Sequence, residues 1–511
     1  VYAVDTPGFG NSDPLPGDAL SVSELAEAYA RLLDTLELTE VIVYGTHSGA
    51  AIGLELGYRH PAKVAAFVLE GVPVFTPEEQ RPLLSPQYME QFEPDILGGH
   101  FARTWTRFHD QFVWFPWYQR TPSQLNEDNA GSAEDIHLWV EMYFQAMRHE
   151  YRPAYRAVIR YGAAALEAIR GLRQPGVFLA ARSDMLYPHL DRFPALASDQ
   201  HIERVDDASQ MASRIERALL TLPARSSKPP PASPPRSAEL VYHDLPCGQL
   251  LLRQAGLHHD GPALLVLHDA PGAGRALLPL HEQLGTLTRV LLPDLPGCGE
   301  SDPLAKEPPT LADYADALAD LLAAHVTGAV NVYGVGFGAA LALELNTRHP
   351  ARVRAMLLTG LLQAPVAERQ ALHGRLAPPI QLQSDGSHWY RTWLMLRDSL
   401  VRWPWYSRSV SSLRRQATRF DAGELHAWTC ELMRQWRSYD HLVNATLSWN
   451  PQPGIEAAGG KLTVGVDSGH ALHGSDEVWA ARAGTKAVFL PGNEADRAQA
   501  IAEVLSARTQ L

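Results

Sequence analysis

Two stretches of this chain are near copies of each other. VIVYGTHSGAAIGLELGYRHPAKV (41–64) aligns without a gap on VNVYGVGFGAALALELNTRHPARV (330–353), at a shift of 289. The same shift relates VYAVDTPGFGNSDP (1–14) to VLLPDLPGCGESDP (290–303), and FPWYQR (115–120) returns as WPWYSR (403–408) after one deletion. Self-similarity of this kind means two copies of one domain. It accounts for a length of 511 residues, too long for one ordinary domain. Between the copies runs PARSSKPPPASPPRSA (223–238), which has almost no capacity for a core. Its prolines favour extended polyproline II, a semi-rigid spacer, with a proline-rich docking motif as the alternative. The expected domains are therefore 1–222 and 239–511, with 223–238 as linker.

Within each copy strands and helices alternate. Ser21-x-x-Glu24 can cap a helix whose apolar residues Leu25, Tyr29, Leu32, Leu33 and Leu36 recur at helical spacing, and Thr310-x-x-Asp313 is its counterpart. A strand at 41–44, a tight glycine turn, a helix to about Tyr58 and a strand at 65–69 follow. This order predicts an α/β fold with a mostly parallel sheet and helices on both faces.

Composition narrows the partners. With 44 Lys and Arg against 57 Asp and Glu the net charge is −13, which argues against nucleic acid or an anionic membrane. No apolar run approaches the length of a membrane span. The sequence opens on Val1 without a signal-peptide pattern, and Cys247, Cys298 and Cys430 show no pairing or metal spacing. A reduced, cytoplasmic protein is expected.

Both halves resemble the α/β-hydrolase superfamily, in the branch of epoxide hydrolases, haloalkane dehalogenases and related esterases. The features that carry the resemblance are the D-x-P-G-x-G-x-S-D turn (Asp5 to Asp13, Asp294 to Asp302), the G-x-x-x-G elbow and R-H-P after its helix (59–61, 348–350). In the second half LLVLHDAPGAG (264–274) resembles the family's oxyanion loop. The resemblance implies two tandem α/β-hydrolase-fold domains, each with a helical cap inserted after the sixth strand. The second copy spends about fifty residues (239–289) before its D-x-P-G turn, whereas the first opens directly on that turn. The first domain is thus expected to have a strand at 1–4 but a gap or rearrangement in its sheet, as from a truncated reading frame.

The resemblance also implies a nucleophile on a strained turn, a histidine base, a carboxylate that orients it and two N–H donors for an oxyanion. The nucleophile position holds His47 in Gly45-Thr46-His47-Ser48-Gly49 and Gly336 in the second copy, and Gly336 has no side chain with which to attack. Ser48 stands one residue past the tip, opposite Phe337, and both His47 and Ser48 stay as catalytic candidates. N–H donors and a low dielectric at the tip are expected to keep His47 largely neutral at pH 7. The acid position falls on Asp184 in VFLAARSDMLYPHLDR (177–192), with Glu70 as an alternative. In LTVGVDSGHALHGSDE (462–477) Asp467 comes two residues early and Gly469 stands nearest the match. The histidine position follows the last strand, yet RVDDASQMASRI (204–215) and FLPGNEADRAQAI (489–501) contain none, and His201 is expected ahead of its strand. His470 and His473 form an H-x-x-H with no third ligand in view, so neither metal nor cofactor is expected. In the oxyanion loop His268 is followed by Asp269 where the family usually has glycine. A carboxylate there is expected to repel a developing oxyanion, leaving the second copy inert.

Where the family carries its cap, Trp117, Tyr118, His137 and Trp139 recur as Trp405, Tyr406, His426 and Trp428. Aromatic residues with a few polar groups compose a ligand pocket, and equally a helical core or a domain interface. The resulting reading is a hydrolase homologue with degraded triads that binds a small apolar molecule under an aromatic cap. The alternatives are a hydrolase of small esters, epoxides or lactones using His47 or Ser48 with Asp184, and a reaction needing only His47 as base. The two copies are also candidates for pairing with each other inside one chain.

Overall fold

Helix starts are set by reciprocal caps. In the computed structural model Ser21 accepts from the Glu24 N–H while the Glu24 carboxylate takes the Ser21 N–H, opening α1 (Val22–Thr35). Thr310 and Asp313 do the same for α3 (Leu311–His325); between them lies α2 (Ser48–Arg59), and α4 (Phe337–Arg348) repeats α2 in the second copy. The structure describes residues 1–17, 19–90, 93–125, 131–146, 150–222, 238–246, 248–414, 419–485 and 487–507. The proline-rich stretch 223–238 lies outside these residues except for Ala238, as does Cys247. The chain divides into two compact units, Val1–Glu93 with Arg103–Ala232, and Pro94–Ala102 with Ser233–Leu511.

The first unit holds a parallel sheet of four strands in the order β1 (Val41–Thr46), β2 (Val64–Glu70), β3 (Gly176–Ala181), β4 (Gln200–Val205). Its middle strands are buried on both faces, and Phe67 packs on Phe178 with ring centroids 4.8 Å apart. Expected strand 1–4 is not formed: these residues have no regular structure and are exposed. The second unit shows why. Its counterpart β8 (Val290–Pro293) is held by β6 (Gly248–Ala255) on one side and β7 (Leu264–Leu267) on the other. Residues 1–4 find no such neighbours among the described residues of the first unit.

The second unit completes the plan with eight strands in the order β12-β11-β10-β9-β7-β8-β6-β5, adding β5 (Ala238–Leu245), β9 (Val330–Val335), β10 (Val353–Thr359), β11 (Leu462–Val466) and β12 (Ala487–Phe489). Among the described strands only the pairs β5/β6 and β6/β8 are antiparallel. A helical insertion separates β2 from β3 and β10 from β11. Its details repeat: Arg120 pairs with Asp110 at 2.6 Å and Arg408 with Asp398 at 3.0 Å, while an isolated bridge joins Trp114 to Leu125 and Arg402 to Leu413.

Candidate functional site

The parallel strands end at the same edge of each sheet, and the strand-to-helix turn there is sharply bent. His47 sits at φ 46° and Gly336 at φ 56°, and their N–H groups bond to the Glu70 and Thr359 carbonyls across the sheet at 2.9 Å. For a histidine this left-handed backbone costs about 1–3 kcal/mol, a strain typical of functional turns. Ser48 is the next residue and begins α2.

In the first unit His47 Nε2 lies 2.9 Å from Asp184 Oδ2, and Asp184 Oδ1 accepts the Leu186 N–H at 2.8 Å. The structure thus joins two residues, 137 positions apart, that the sequence offered together as one alternative site. At His47 the shift runs opposite to the expected direction. Burial works against the charged ring, but the hydrogen bond and charge of Asp184, with Glu70 nearby, outweigh it and raise the His47 pKa. Burial likewise opposes ionised Asp184, and the same contact lowers its pKa on balance. With Nε2–H given to Asp184, only Nδ1 is left to take a proton. Glu70, the alternative acid, instead accepts from Tyr44 Oη at 2.7 Å. His201 is inside β4, exposed, and opposite Val177, rather than ahead of the strand.

The second unit builds the same pair with its members exchanged. Phe67 pairs with Gly176, and the equivalent Met356 pairs with Leu462, so the acid strand repeats at a shift of 286 rather than 289. The residue equivalent to Asp184 is therefore His470, not Gly469 or Asp467. Local bonds agree: the N–H of 184 and of 470 reaches back three residues to Ala181 and Asp467, and the Leu186 and Leu472 N–H groups bond the two side chains. Asp467 is occupied by Arg497 at 2.9 and 3.1 Å. His470 Nε2 lies 3.2 Å from Asp269 Oδ2.

Asp269 does not stand where it would simply repel an oxyanion. Its Oδ1 accepts the N–H of Ala270 and the N–H of Phe337, both at 2.8 Å. A loop N–H and the N–H after the elbow tip are the two donors that hold an oxyanion in hydrolases of this fold, and the Asp269 carboxylate has taken both. Gly336 makes this possible, since a Cβ there would overlap Asp269 Oδ1. Gly360 and its counterpart Gly71 similarly leave room for the rings of His470 and His47. His268 is fully buried, with Nδ1 bonded to the Asp269 carbonyl at 2.8 Å and Nε2 accepting from Leu295 N–H at 3.0 Å; burial lowers its pKa.

The Leu472 N–H aims at His470 Nδ1 at 3.1 Å, so in the neutral ring the proton is on Nε2. Burial disfavours the charged ring, while Asp269, then Asp476 and Asp467, outweigh it and raise the pKa. In either state Nε2 carries a proton: His470 donates and Asp269 accepts.

This pair faces a cavity of about 310 Å³ within the second unit, lined mostly by apolar groups, including Trp403, Trp405, Trp428 and Trp449. Trp405 and Trp428 line this cavity, each with its indole N–H satisfied by a backbone carbonyl, Leu376 at 2.9 Å and Pro271 at 2.8 Å. Tyr406 is placed elsewhere, under the Arg375 guanidinium, and His426 is pushed down to about 3 by burial and by His100 and Arg275. In the first unit Trp117 and Tyr118 pack into a small core with Leu83, Tyr88 and Met89, and Tyr118 Oη donates to the Pro82 carbonyl. His137 is buried, and Trp139 is largely exposed beside Phe108 and Phe112. Among the described residues no group of three or more His, Cys, Asp or Glu could hold a metal ion.

Sheet order, elbow and insertion define a class, and the comparisons agree with it. Residues 1–206 match a family model described as alpha/beta hydrolase fold, and residues 264–483 match one described as alpha/beta hydrolase family. The chain belongs to the α/β-hydrolase family, with two such domains in tandem. It is 38% identical over 100 residues to a pimeloyl-[acyl-carrier protein] methyl ester esterase of Chromobacterium violaceum, covering 19% of this chain and 37% of that protein. The corresponding esterase of Aeromonas hydrophila is 31% identical over 110 residues, 21% of this chain and 41% of that protein. The match therefore spans about two fifths of these relatives. Among solved structures, an epoxide hydrolase from Vigna radiata is 16% identical at a TM-score of 0.39, covering 54% of this chain and 98% of its own. A haloalkane dehalogenase variant from Bradyrhizobium elkanii is 15% identical at 0.39, covering 53% and 98%.

Proposed function

We propose that this protein is a hydrolase-family member whose serine-type triad chemistry is gone and whose second unit binds a small, largely apolar molecule beneath its helical insertion. The observation that carries the reading is Asp269 bonded to both the Ala270 and Phe337 N–H groups over a glycine at the nucleophile position. A tetrahedral intermediate would have neither an attacking side chain nor donors for its oxyanion. His470, protonated at Nε2, offers the cavity no base. The cavity's size lies at the lower end of small-molecule sites, roughly 300–1,000 Å³, and its aromatic walls suit an apolar guest. No described helix is long and apolar enough to cross a membrane; a reducing, cytoplasmic setting is part of this proposal, supported by the buried Cys298 thiol, whose pKa burial pushes far up.

The test uses the full chain. A fluorophosphonate probe, which labels activated serines, should leave the protein unmodified, and p-nitrophenyl esters should turn over no faster than in buffer. Acetophenone or 1-phenylethanol should quench tryptophan fluorescence saturably. Stoichiometric labelling of Ser48 would overturn the reading, and so would the absence of any saturable binding.

A second reading has its own support in the first unit. The 2.9 Å contact of His47 with Asp184 on a strained elbow is the arrangement of an oriented histidine. In that reading His47 acts as general base on a small ester, epoxide or lactone through Nδ1. His47→Ala should then abolish any turnover, while Ser48→Ala leaves most of it.

A further inference from the structure

The floor of the second unit's cavity has the opposite polarity from the one its fold usually presents. Two convergent N–H donors at an elbow attract a carbonyl oxygen or an anion, because they are unsatisfied until a ligand arrives. Here both donors are spent on Asp269 Oδ1 at 2.8 Å. Asp269 lines the cavity, and its Oδ2 accepts one hydrogen bond from His470 and has lone-pair capacity to spare. The Asp269 side chain is 40% exposed, whereas that of His470 is 13% exposed. The exposed polar group of the floor is therefore an acceptor.

Resting on the binding reading above, we propose that the cavity selects neutral apolar molecules that end in a hydroxyl, an alcohol rather than an ester, ketone or carboxylic acid. The hydroxyl donates to Asp269 Oδ2 while the hydrocarbon part lies among Trp403, Trp405, Trp428 and Trp449. A hydrogen bond to a charged acceptor is stronger than one between neutral groups. A carbonyl oxygen at the same place meets carboxylate lone pairs, so its desolvation goes uncompensated. A terminal ammonium would also donate, but the cavity wall already carries the Arg369 and Arg414 guanidiniums. Arg414 donates to the Gly469 and Ser399 carbonyls, which keeps its charge close to this floor, and the His470 ring, whose charged form Asp269 favours, already answers the carboxylate, so a further cation gains little. The fit is to the neutral donor.

The experiment compares three molecules of nearly one shape, 1-phenylethanol, acetophenone and 1-phenylethylamine, by calorimetry on the full chain at pH 7. The alcohol should bind at least about tenfold more tightly than the ketone, since sites built around a hydroxyl reject analogues lacking it by tenfold or far more. The amine should bind more weakly than the alcohol. Asp269→Asn keeps an oxygen for the two N–H groups but puts an N–H₂ at the Oδ2 position, against the His470 Nε2–H and without an acceptor for the hydroxyl, so the preference for alcohol over ketone should be lost. Asp269→Gly frees both N–H groups and should favour the ketone, reversing the order. Equal binding of alcohol and ketone, a preference untouched by both substitutions, or tighter binding of the amine would overturn the inference while leaving the cavity a binding site. If none of the three binds, the binding reading itself falls.

Discussion

The two copies place a histidine and a carboxylate at the same spot and reach it by different routes. In the first, the histidine is on the elbow and the aspartate on the loop after β3. In the second, the histidine has moved to the loop after β11, and the aspartate comes from the loop after β7, over an elbow reduced to glycine. The comparison teaches that this fold holds a location more firmly than it holds the residue type at any one position. In the second unit three chain segments converge there, and the ring and the acid come from two of them; in the first the elbow and the loop after β3 supply them. The electrostatic outcome differs: the first pair leaves one histidine nitrogen for chemistry, whereas the second leaves a carboxylate oxygen.

Substitutions that crowd the site test this contrast most strongly. Gly336→Ala puts a methyl group into Asp269 Oδ1 on a left-handed backbone. With about 1–2 kcal/mol for the conformation and about 1–3 kcal/mol for overpacking, the second unit should lose roughly 3 kcal/mol. Hydrogen exchange read unit by unit in the full chain measures it. Gly336→Ala with Asp269→Ala should recover the overpacking share; if it does not, the carboxylate is not what the glycine accommodates. Next in size, Gly71→Ala and Gly360→Ala should each cost about 2 kcal/mol in their own units by the same two causes. Sensitivity of only one would break the equivalence.

Smaller effects come from the charges. Asp184→Asn should lower the His47 pKa, visible as a shift in its NMR titration, and remove about 1 kcal/mol or less, because the His47 side chain is 42% exposed. The sign follows from linkage. A raised histidine pKa stabilises fully below the unfolded value near 6.5 and is lost as pH rises through the folded pKa. A lowered Asp184 pKa stabilises above the unfolded value near 3.9 and is lost as pH falls through its folded pKa. The pair's contribution should therefore be greatest between about pH 4 and 6.5, a window that disappears in Asp184→Asn. Smallest is His47→Gly, where relief of the left-handed backbone offsets the lost pair and the net change should stay under about 1 kcal/mol.

Much of the architecture was legible from local signals. Ser21/Glu24 and Thr310/Asp313 announced their helices, and the gapless 289-residue shift placed both elbows in register. Strand 1–4 was misread because its counterpart owes its structure to neighbours on either side, which local sequence does not report. The first-copy pair was half legible, since Asp184 was combined with either His47 or Ser48 and the sequence did not decide between them. The second pair was hidden by three deleted residues between β10 and β11, which made Gly469 look like the acid position. One signal was present: Ala181-x-x-Asp184-x-Leu186 and Asp467-x-x-His470-x-Leu472 share their spacing to a leucine, and those leucine N–H groups bond the two side chains. Asp269 was singled out for its charge, but that it would occupy the donors depended on the empty space over Gly336.

That occupancy makes Asp269 a tethered competitor. A dissolved anion seeking the Ala270 and Phe337 N–H groups must displace a carboxylate anchored one bond network away, whose effective concentration exceeds anything attainable in solution by orders of magnitude. Acetate, phosphate or a fatty acid at millimolar levels would thus leave these donors untouched, and the cavity would keep its character through wide swings in the ionic and metabolic content of its surroundings.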